Sequence, residues 1–594
     1  MSQISNVFQG NIADIKTIDI DTLFTDIREP IQNKYFDVLN TVLSSGKIDQ
    51  KHYSLYHFLI KLVSMHLKPD TPETPFGPQF QFTNGRSLVP IDLTDDDILA
   101  IKEINDHTND RMLKSRLLDL LWVIKKDHNA CKEAAEIYLQ MGVILNTDDS
   151  WTYAEIYFRR ALQLAKALGR SKELYVNISD SIQDAVRDSS KSTKDYHCLK
   201  FMEILLEFNI GDPVEYVTIA GNIADKALND CNMCKARDYF KLQADWYHCL
   251  KDDEKEQAAR LRAAMTYITE AEQRITGQSP SYAVASEFIK RAIEGMRRHG
   301  GVANKIVLLK AKLNEYQKLS HKEMKAFGTN LDLTDCSREA INHVKSRELP
   351  DAIRRLAFIV PTINISELKD TVKDMDERFV FGKLAPITLV DDAGRTITSA
   401  GSSLYDEARR FELSMYSYAA QNEWTIRAVG YIDPARTRIL SEHHPTFNDL
   451  AYIVRDNPFI PPGHEEIFLR GIHAGFHSDF LTAALFLVPQ IENSIRYVLD
   501  SNGVYIANLE SDGTQPLKVL GPLFDLPETQ EIFGESIYFE LKGHLLEKAG
   551  YNFRNRIAHG YATAANITSY ITISIWWLVL RLCFTPLQKP ASKS

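Results

Sequence analysis

The chain has 594 residues, too many for a single hydrophobic core, so roughly three or four domains are expected. Its 44% hydrophobic and 25% charged residues are those of a soluble globular protein, and a net charge of −10 excludes a protein that coats nucleic acid with its whole surface. Seven scattered cysteines suggest no disulfide framework, which fits a reducing cytoplasm, and the opening MSQISNVFQGNIADIK lacks the layout of a signal peptide.

Taken in chain order, residues 1–100 form an N-terminal helical region. It contains DQKHYSLYHFLIKLVSMHL and then a Pro/Gly-rich loop, KPDTPETPFGPQFQFTNG, expected on the surface. Residues 101–345 open with NDRMLKSRLLDLLWVIKKD and carry a repeated pattern of small, aromatic and small residues at i, i+3 and i+7. It occurs as Ala135/Tyr138/Gly142, Ala154/Tyr157/Ala161, Ala264/Tyr267/Ala271 and Ala285/Phe288/Ala292. Those positions share one helix face, where small residues admit a neighbouring helix and the aromatic fills the groove. The spacings of 19 and 21 residues between occurrences suit stacked helix–turn–helix pairs. The pattern resembles degenerate tetratricopeptide-type repeats, which implies a partner-binding surface; a plain helical scaffold is the alternative.

Residues 346–455 read as a connecting α+β region. PITLVDDAGRTITSAG predicts a β-hairpin turning at Asp-Asp-Ala-Gly, and SLYDEARRFELSMYSYAAQ predicts a helix. After the break DNPFIPPGHEE, residues 456–594 read as a helical bundle. HEEIFLRGIHAGFHSDFLTAALFLVPQIENSIRYVLDSNG predicts two helices, the second entered near Pro489. A second hairpin follows with Asp512-Gly513 at its turn, then a helix ended by Gly550. The apolar stretch Ile567 to Phe584 is interrupted by Thr568, Ser569, Thr572, Ser574 and Arg581, so it predicts a buried bundle helix with no stable membrane span. The fold class expected is mainly α: N-terminal solenoid-like helical repeats and a C-terminal bundle with small β-hairpin insertions. From Leu541 to Ser594 seven Lys or Arg stand against one acidic residue, Glu547, a local basic excess on which a polyanion can dock.

Within that basic end lies NFRNRIAHGY, residues 552–561. Asn555 and His559 are four apart and share a helix face, so the amide can orient the imidazole. Arg554 lies about 140° round the helix from His559, within reach of a long side chain. Ala558 and Gly560 leave the histidine approachable. These residue types suit RNA cleavage without metal. A histidine takes the proton of a ribose 2′-OH, and an arginine holds the phosphate and stabilises the charge that develops. A helix end with incidental polar residues is the plain alternative. His473 and His477, spaced i, i+4 with Asp479 nearby, lack an HExxH glutamate and make a poor metal site. Cys231 and Cys234 form a lone CxxC read as ordinary helix cysteines. No GxxxxGK[ST] loop, GxSxG elbow or strand-borne GxGxxG is present.

RNRIAHG resembles the RNxxxHG signature of domain-of-unknown-function family 4209 and the RxxxxH motif of the HEPN superfamily of helical ribonucleases. FIPPGHEEIFLRGIHAGFHSDF, LVPQIENSIRYVL and IFGESIYFELKGHLLEKAGYNFRNRIAHG resemble that family's helices over about 130 residues, and KSRLLDLLW resembles its preceding helical region. The resemblance implies a HEPN-like bundle over 456–594 that cuts RNA to a 2′,3′-cyclic phosphate with no metal or cofactor, in a toxin or antiviral defence setting. It implies that Arg554 binds phosphate, His559 is the general base and Asn555 orients the site. Glu492 and Arg496 resemble polar positions of the neighbouring HEPN helix, where a carboxylate pairs with the motif arginine; a surface Glu–Arg pair is the alternative. One motif per chain implies a homodimer. The helical-repeat region would then receive a regulatory protein or nucleic-acid trigger. The rival class is a non-catalytic HEPN-like scaffold or a nucleotide- or RNA-binding regulator.

Overall fold

The computed structural model describes residues 7–586 except 47, 83–84, 171, 192–194, 298–301, 325–330, 380–381, 383–385, 392–393 and 402. The chain is mainly α, with short two-stranded antiparallel pairs, and divides into two compact units, Met1–Tyr316 and Gln317–Ser594.

In the first unit successive helices pack on one another from Arg111–Lys125 through His128–Leu145, Trp151–Leu168 and Glu173–Ser190. The succession resumes from Pro213–Asn229 through Met233–Cys249, Asp253–Thr276 and Tyr282–Met296. The four small–aromatic–small patterns meet in pairs. Tyr138 stacks on Tyr157 with centroids 5.6 Å apart, and Tyr267 on Phe288 at 6.2 Å. The small residues of each pattern are buried between the paired helices. At Gly142 a Cβ would come within 2.6 Å of the Phe158 ring, so only hydrogen fits there. From the Trp151–Leu168 helix Arg160 grips the fully buried Asp119 of Arg111–Lys125 through two bonds of 2.7 and 2.9 Å. Tyr138 Oη donates a third bond to that carboxylate at 3.2 Å.

The expected boundary near residue 100 falls inside the helix Asp95–Asp106. Contacts from the N-terminal segment explain why no break occurs there. Asp97 accepts from the backbone N–H of Phe8 at 2.7 Å, and Asp21 accepts from Asn109 N at 2.8 Å. The Pro/Gly-rich loop is exposed over 71–74, yet Phe76 is buried, because Phe76–Gly77 pair with His66–Leu67 as a short antiparallel ladder.

In the second unit the apolar helix Tyr570–Phe584 is the central element. It packs against Leu349–Ala357, Trp424–Ile426, Glu465–Phe476 and Phe480–Ser501. Trp576 Nε1 donates to the Ile472 carbonyl at 3.0 Å and Trp577 Nε1 to that of Leu356 at 2.9 Å, so both indoles are buried with their polar atom satisfied. At 15 residues this helix is about 22 Å long, shorter than a bilayer core. Among the described residues no helix is long and apolar enough to cross a membrane.

Both predicted hairpins form. Ile387–Val390 pairs antiparallel with Thr396–Ala400; the middle of that turn, 392–393, lies outside the described residues. The second is a looser arm in which Ala507 bridges Leu517, Glu510 N donates to Thr514 O at 2.9 Å, and Gly513 turns the chain at φ +84°.

Two helix boundaries differ from expectation. The helix containing Pro489 begins at Phe480, started by the Asp479 side chain capping Thr482 N, and Pro489 is interior. The carbonyl left without a partner belongs to Leu485, on the exposed side of the helix, where water can take the bond. The helix Glu535–Leu545 stops before Gly550. Gly550 instead lies against a backbone: a Cβ there would sit 2.2 Å from the Gly543 carbonyl oxygen. Close approach explains that glycine.

Candidate functional site

The motif sits on a short helix, Phe553–Ala558, whose entry is rigidly held. Tyr551 N donates to Gly543 O at 2.9 Å, and the buried Tyr551 ring packs edge-on against Trp424 and His544. Asn552 then adopts a left-handed conformation at φ +49°, and Phe553 is fully buried. This anchoring turns Arg554 towards the long helix Phe480–Ser501.

There Glu492, 7% exposed, sits between two arginines. Arg554 Nε donates to Glu492 Oε2 at 2.9 Å, and Arg496 Nη2 is bonded to Glu492 Oε1. Arg496 also donates Nε to the Lys518 carbonyl at 2.9 Å, tying the second hairpin arm to the same helix. Arg554 Nη1 donates to Asn555 Oδ1 at 3.3 Å, and no protein acceptor is bonded to Arg554 Nη2 among the described residues. The structure thus brings together Arg554, Asn555, Glu492 and Arg496. The expected Glu492–Arg496 pair and the expected Glu492–Arg554 pair both occur.

His559 is placed differently. It caps the C-terminal end of the motif helix, its backbone N–H donating to Asn555 O at 3.1 Å. Gly560 follows at φ +70°, and Tyr561 N and Ala562 N close back onto the Arg556 carbonyl at 2.8 and 3.0 Å. The imidazole is exposed and stacks on Tyr561 with centroids 5.6 Å apart at 23°. The Asn555 amide does not orient it: Asn555 Nδ2 donates to Asn552 Oδ1 at 2.8 Å. The helix ends before His559 completes the shared face, so the residues meet through the backbone alone. A Cβ at Gly560 would meet nothing within 4 Å, so the face beside His559 is open to a ligand.

Beneath the motif lies a buried polar cluster that sequence reasoning missed. Glu540, 1% exposed, accepts from Arg427 Nη1 at 2.9 Å and from Ile363 N at 2.8 Å. Burial pushes its carboxyl above the usual range, and the Arg427 guanidinium works against that shift. His544 bonds the Glu540 carbonyl through Nδ1 at 2.7 Å and Ser574 Oγ through Nε2 at 2.8 Å. Burial lowers its pKa to about 3, so the ring is neutral. Glu540, His544 and Ser574 are buried under Tyr551, and Arg427 is the partly exposed member of the cluster. Their spacing of four, Glu540 to His544, was the available signal.

The other sequence candidates find structural places. His473 stacks on Phe447 at 3.9 Å and on His477 at 4.2 Å, and His477 Nε2 is 3.0 Å from the Pro445 carbonyl. Among the described residues no group of three or more His, Cys, Asp or Glu is placed to hold a metal ion. Cys231 is in a turn at φ +58° rather than in a helix, because Asn232 caps the helix that begins at Met233. All seven cysteines are free.

Residues 5–177 match the family model described as Domain of unknown function (DUF7380), so this part of the first unit is similar to that family. The match stops well short of the motif at 554–559. No curated protein matches the sequence.

Proposed function

We propose that the protein is a metal-independent endoribonuclease of the HEPN type. The observation that carries this reading is the Glu492 carboxylate, which fixes Arg554 through Nε and leaves Nη2 for a phosphate, on the same short helix that ends at the exposed His559. In this mechanism His559 takes the proton of a ribose 2′-OH, the oxygen attacks its own phosphorus, and the P–O5′ bond breaks, the 5′-oxygen taking a proton from water to leave as a hydroxyl. Arg554 stabilises the charge on the phosphorane, and the product carries a 2′,3′-cyclic phosphate. Asn555 holds the Arg554 guanidinium; Glu492 and Arg496 position it.

A homodimer is part of the proposal, since one chain contributes one Arg554/His559 set. Support comes from the arm tied to Arg496, which exposes Tyr505, Leu509, Leu517 and Val519, each more than half exposed. The helical repeats are proposed as the surface that receives a regulatory protein or nucleic-acid trigger, in a toxin or antiviral defence setting. A reducing cytoplasm is the proposed compartment, in keeping with the free cysteines.

A second reading, a non-catalytic RNA-binding scaffold, draws on the His559 ring, which has no hydrogen-bond partner among the described residues to set its tautomer. The test is cleavage of single-stranded and structured RNA in EDTA by wild type, His559→Ala and Arg554→Ala. Cyclic phosphate ends from wild type and none from either variant support the enzyme. No wild-type cleavage in EDTA overturns the metal-free mechanism, and equal cleavage by the variants places the chemistry elsewhere.

A further inference from the structure

A cleft of about 710 Å³ opens within the C-terminal unit between the Ile387–Ala400 hairpin and the chain around the motif helix. Arg395 reaches it from the hairpin, and Lys548, Asn552, Arg556 and Tyr561 reach it from the motif side. Its volume is within the range of about 300–1,000 Å³ typical of small-molecule sites. Three cations face a single lining carboxylate, Asp391, which is bonded to Arg395 Nε at 2.7 Å. Lys548 and Arg556 have no carboxylate partner among the described residues. Arg556 donates Nη2 to the Asn566 side chain at 2.7 Å and keeps its other donors. Tyr561, 70% exposed, presents one face to His559 and leaves the other to solvent.

Unpaired cations beside an open aromatic face match the chemistry of an unstacked nucleotide strand: phosphates lie on the cations and a base lies on the ring. Duplex RNA keeps its bases stacked on one another and has no use for that ring. We propose that this cleft binds the single-stranded RNA next to the scissile phosphate, with one base on the outer face of Tyr561 and the adjoining phosphates on Arg556 and Lys548. The proposal rests on the ribonuclease reading for the position of the scissile phosphate. The stack of Tyr561 on His559 then sets the distance from the bound base to the base catalyst.

The experiment measures binding of a short fluorescent single-stranded RNA, 2′-O-methylated throughout so that 2′-OH attack is blocked, by anisotropy at several salt concentrations. Wild type is compared with Tyr561→Ala, Tyr561→Phe and the double variant Lys548→Ala/Arg556→Gln. Tyr561→Ala weakens binding about tenfold and Tyr561→Phe restores it, as loss and return of one base stack predict. The double variant lowers the log–log salt slope by about 1.4, two single-strand phosphate contacts. Lys548→Glu, at an exposed position, weakens binding whether or not Arg556 tolerates substitution. Unchanged affinity in Tyr561→Ala and Lys548→Glu overturns the proposal even if the protein cleaves RNA. Equal or tighter binding of a duplex of the same sequence also overturns it. Binding with these variant effects, but without cleavage of unmodified RNA, keeps the cleft and rejects the nuclease.

Discussion

Glu492 and Arg554, 62 residues apart in sequence, join two helices of the C-terminal unit through an ion pair in which Arg554 Nε donates to Glu492 Oε2 at 2.9 Å. The carboxylate is nearly buried, while Arg554 and Arg496 keep 26% and 18% of their side-chain surface. Glu492 therefore supplies position to both arginines.

Removing that carboxylate leaves two neighbouring guanidinium groups without a counter-charge, each keeping one neutral acceptor, Asn555 Oδ1 for Arg554 and the Lys518 carbonyl for Arg496. Glu492→Ala is expected to destabilise the protein by about 1–3 kcal/mol, below the 3–5 kcal/mol of a fully buried pair because both arginines are partly solvated. Glu492→Gln, which keeps one acceptor oxygen and so one of the two arginine bonds, costs less than the full truncation. Urea midpoints measure both. In a double-mutant cycle on stability, Glu492→Ala costs less once Arg554 is already alanine.

The paired small–aromatic faces of the first unit predict a size limit. At Gly142 any Cβ meets the Phe158 ring at 2.6 Å, so Gly142→Ala is expected to lose about 1–3 kcal/mol despite its better helix propensity. Tyr138→Phe keeps the stack on Tyr157 and removes one bond to the buried Asp119, a loss of about 1 kcal/mol. Chemical denaturation read at the tryptophans of the first unit separates the two. A larger loss in Tyr138→Phe than in Gly142→Ala would refute the packing argument.

His544 predicts an acid-sensitive limb. Its folded pKa is about 3, below the ordinary value of 6.5, so above pH 6.5 both folded and unfolded states hold it neutral. As pH falls below 6.5 the unfolded chain takes up the proton first, and stability drops by about 1.4 kcal/mol per pH unit until pH approaches 3. Glu540 acts in the opposite sense, because its raised carboxyl pKa lets the folded state bind a proton more readily as pH falls. The difference between wild type and His544→Asn isolates the histidine. The variant is less stable at pH 7 yet loses stability less steeply between pH 6 and 4. Parallel pH profiles would show that His544 does not control this limb.

The proposed homodimer predicts that charge on the exposed arm separates the copies. Leu509→Asp and Leu517→Asp are expected to shift the sedimentation coefficient from dimer to monomer and to abolish cleavage, with the helical circular-dichroism signal unchanged. Cleavage by a demonstrated monomer would remove the second copy from the mechanism.

The sequence by itself determined what depends on local period and composition. The mainly α class, the facing small–aromatic–small patterns, both hairpins and the burial of Ile567–Phe584 follow from spacing within one element. Glu492 and Arg496 were legible as a pair because they are four apart on one helix. The five-residue spacing of Arg554 and His559 is common, and they read as a motif only through the resemblance to RNxxxHG. Only the tertiary structure decided the rest. Asp97 and Asp21, through partners some 90 residues away, erase the expected break near residue 100. Gly550 looked like a helix stop, yet it is required by a carbonyl from another turn. The short helix also separates Asn555 from the His559 ring it was expected to orient. The cleft is assembled from Arg395 and Lys548, more than 150 residues apart. Periodicity reports which residues share a face of one element. It carries no information about which other element will cover that face, because that choice is made by packing between distant segments.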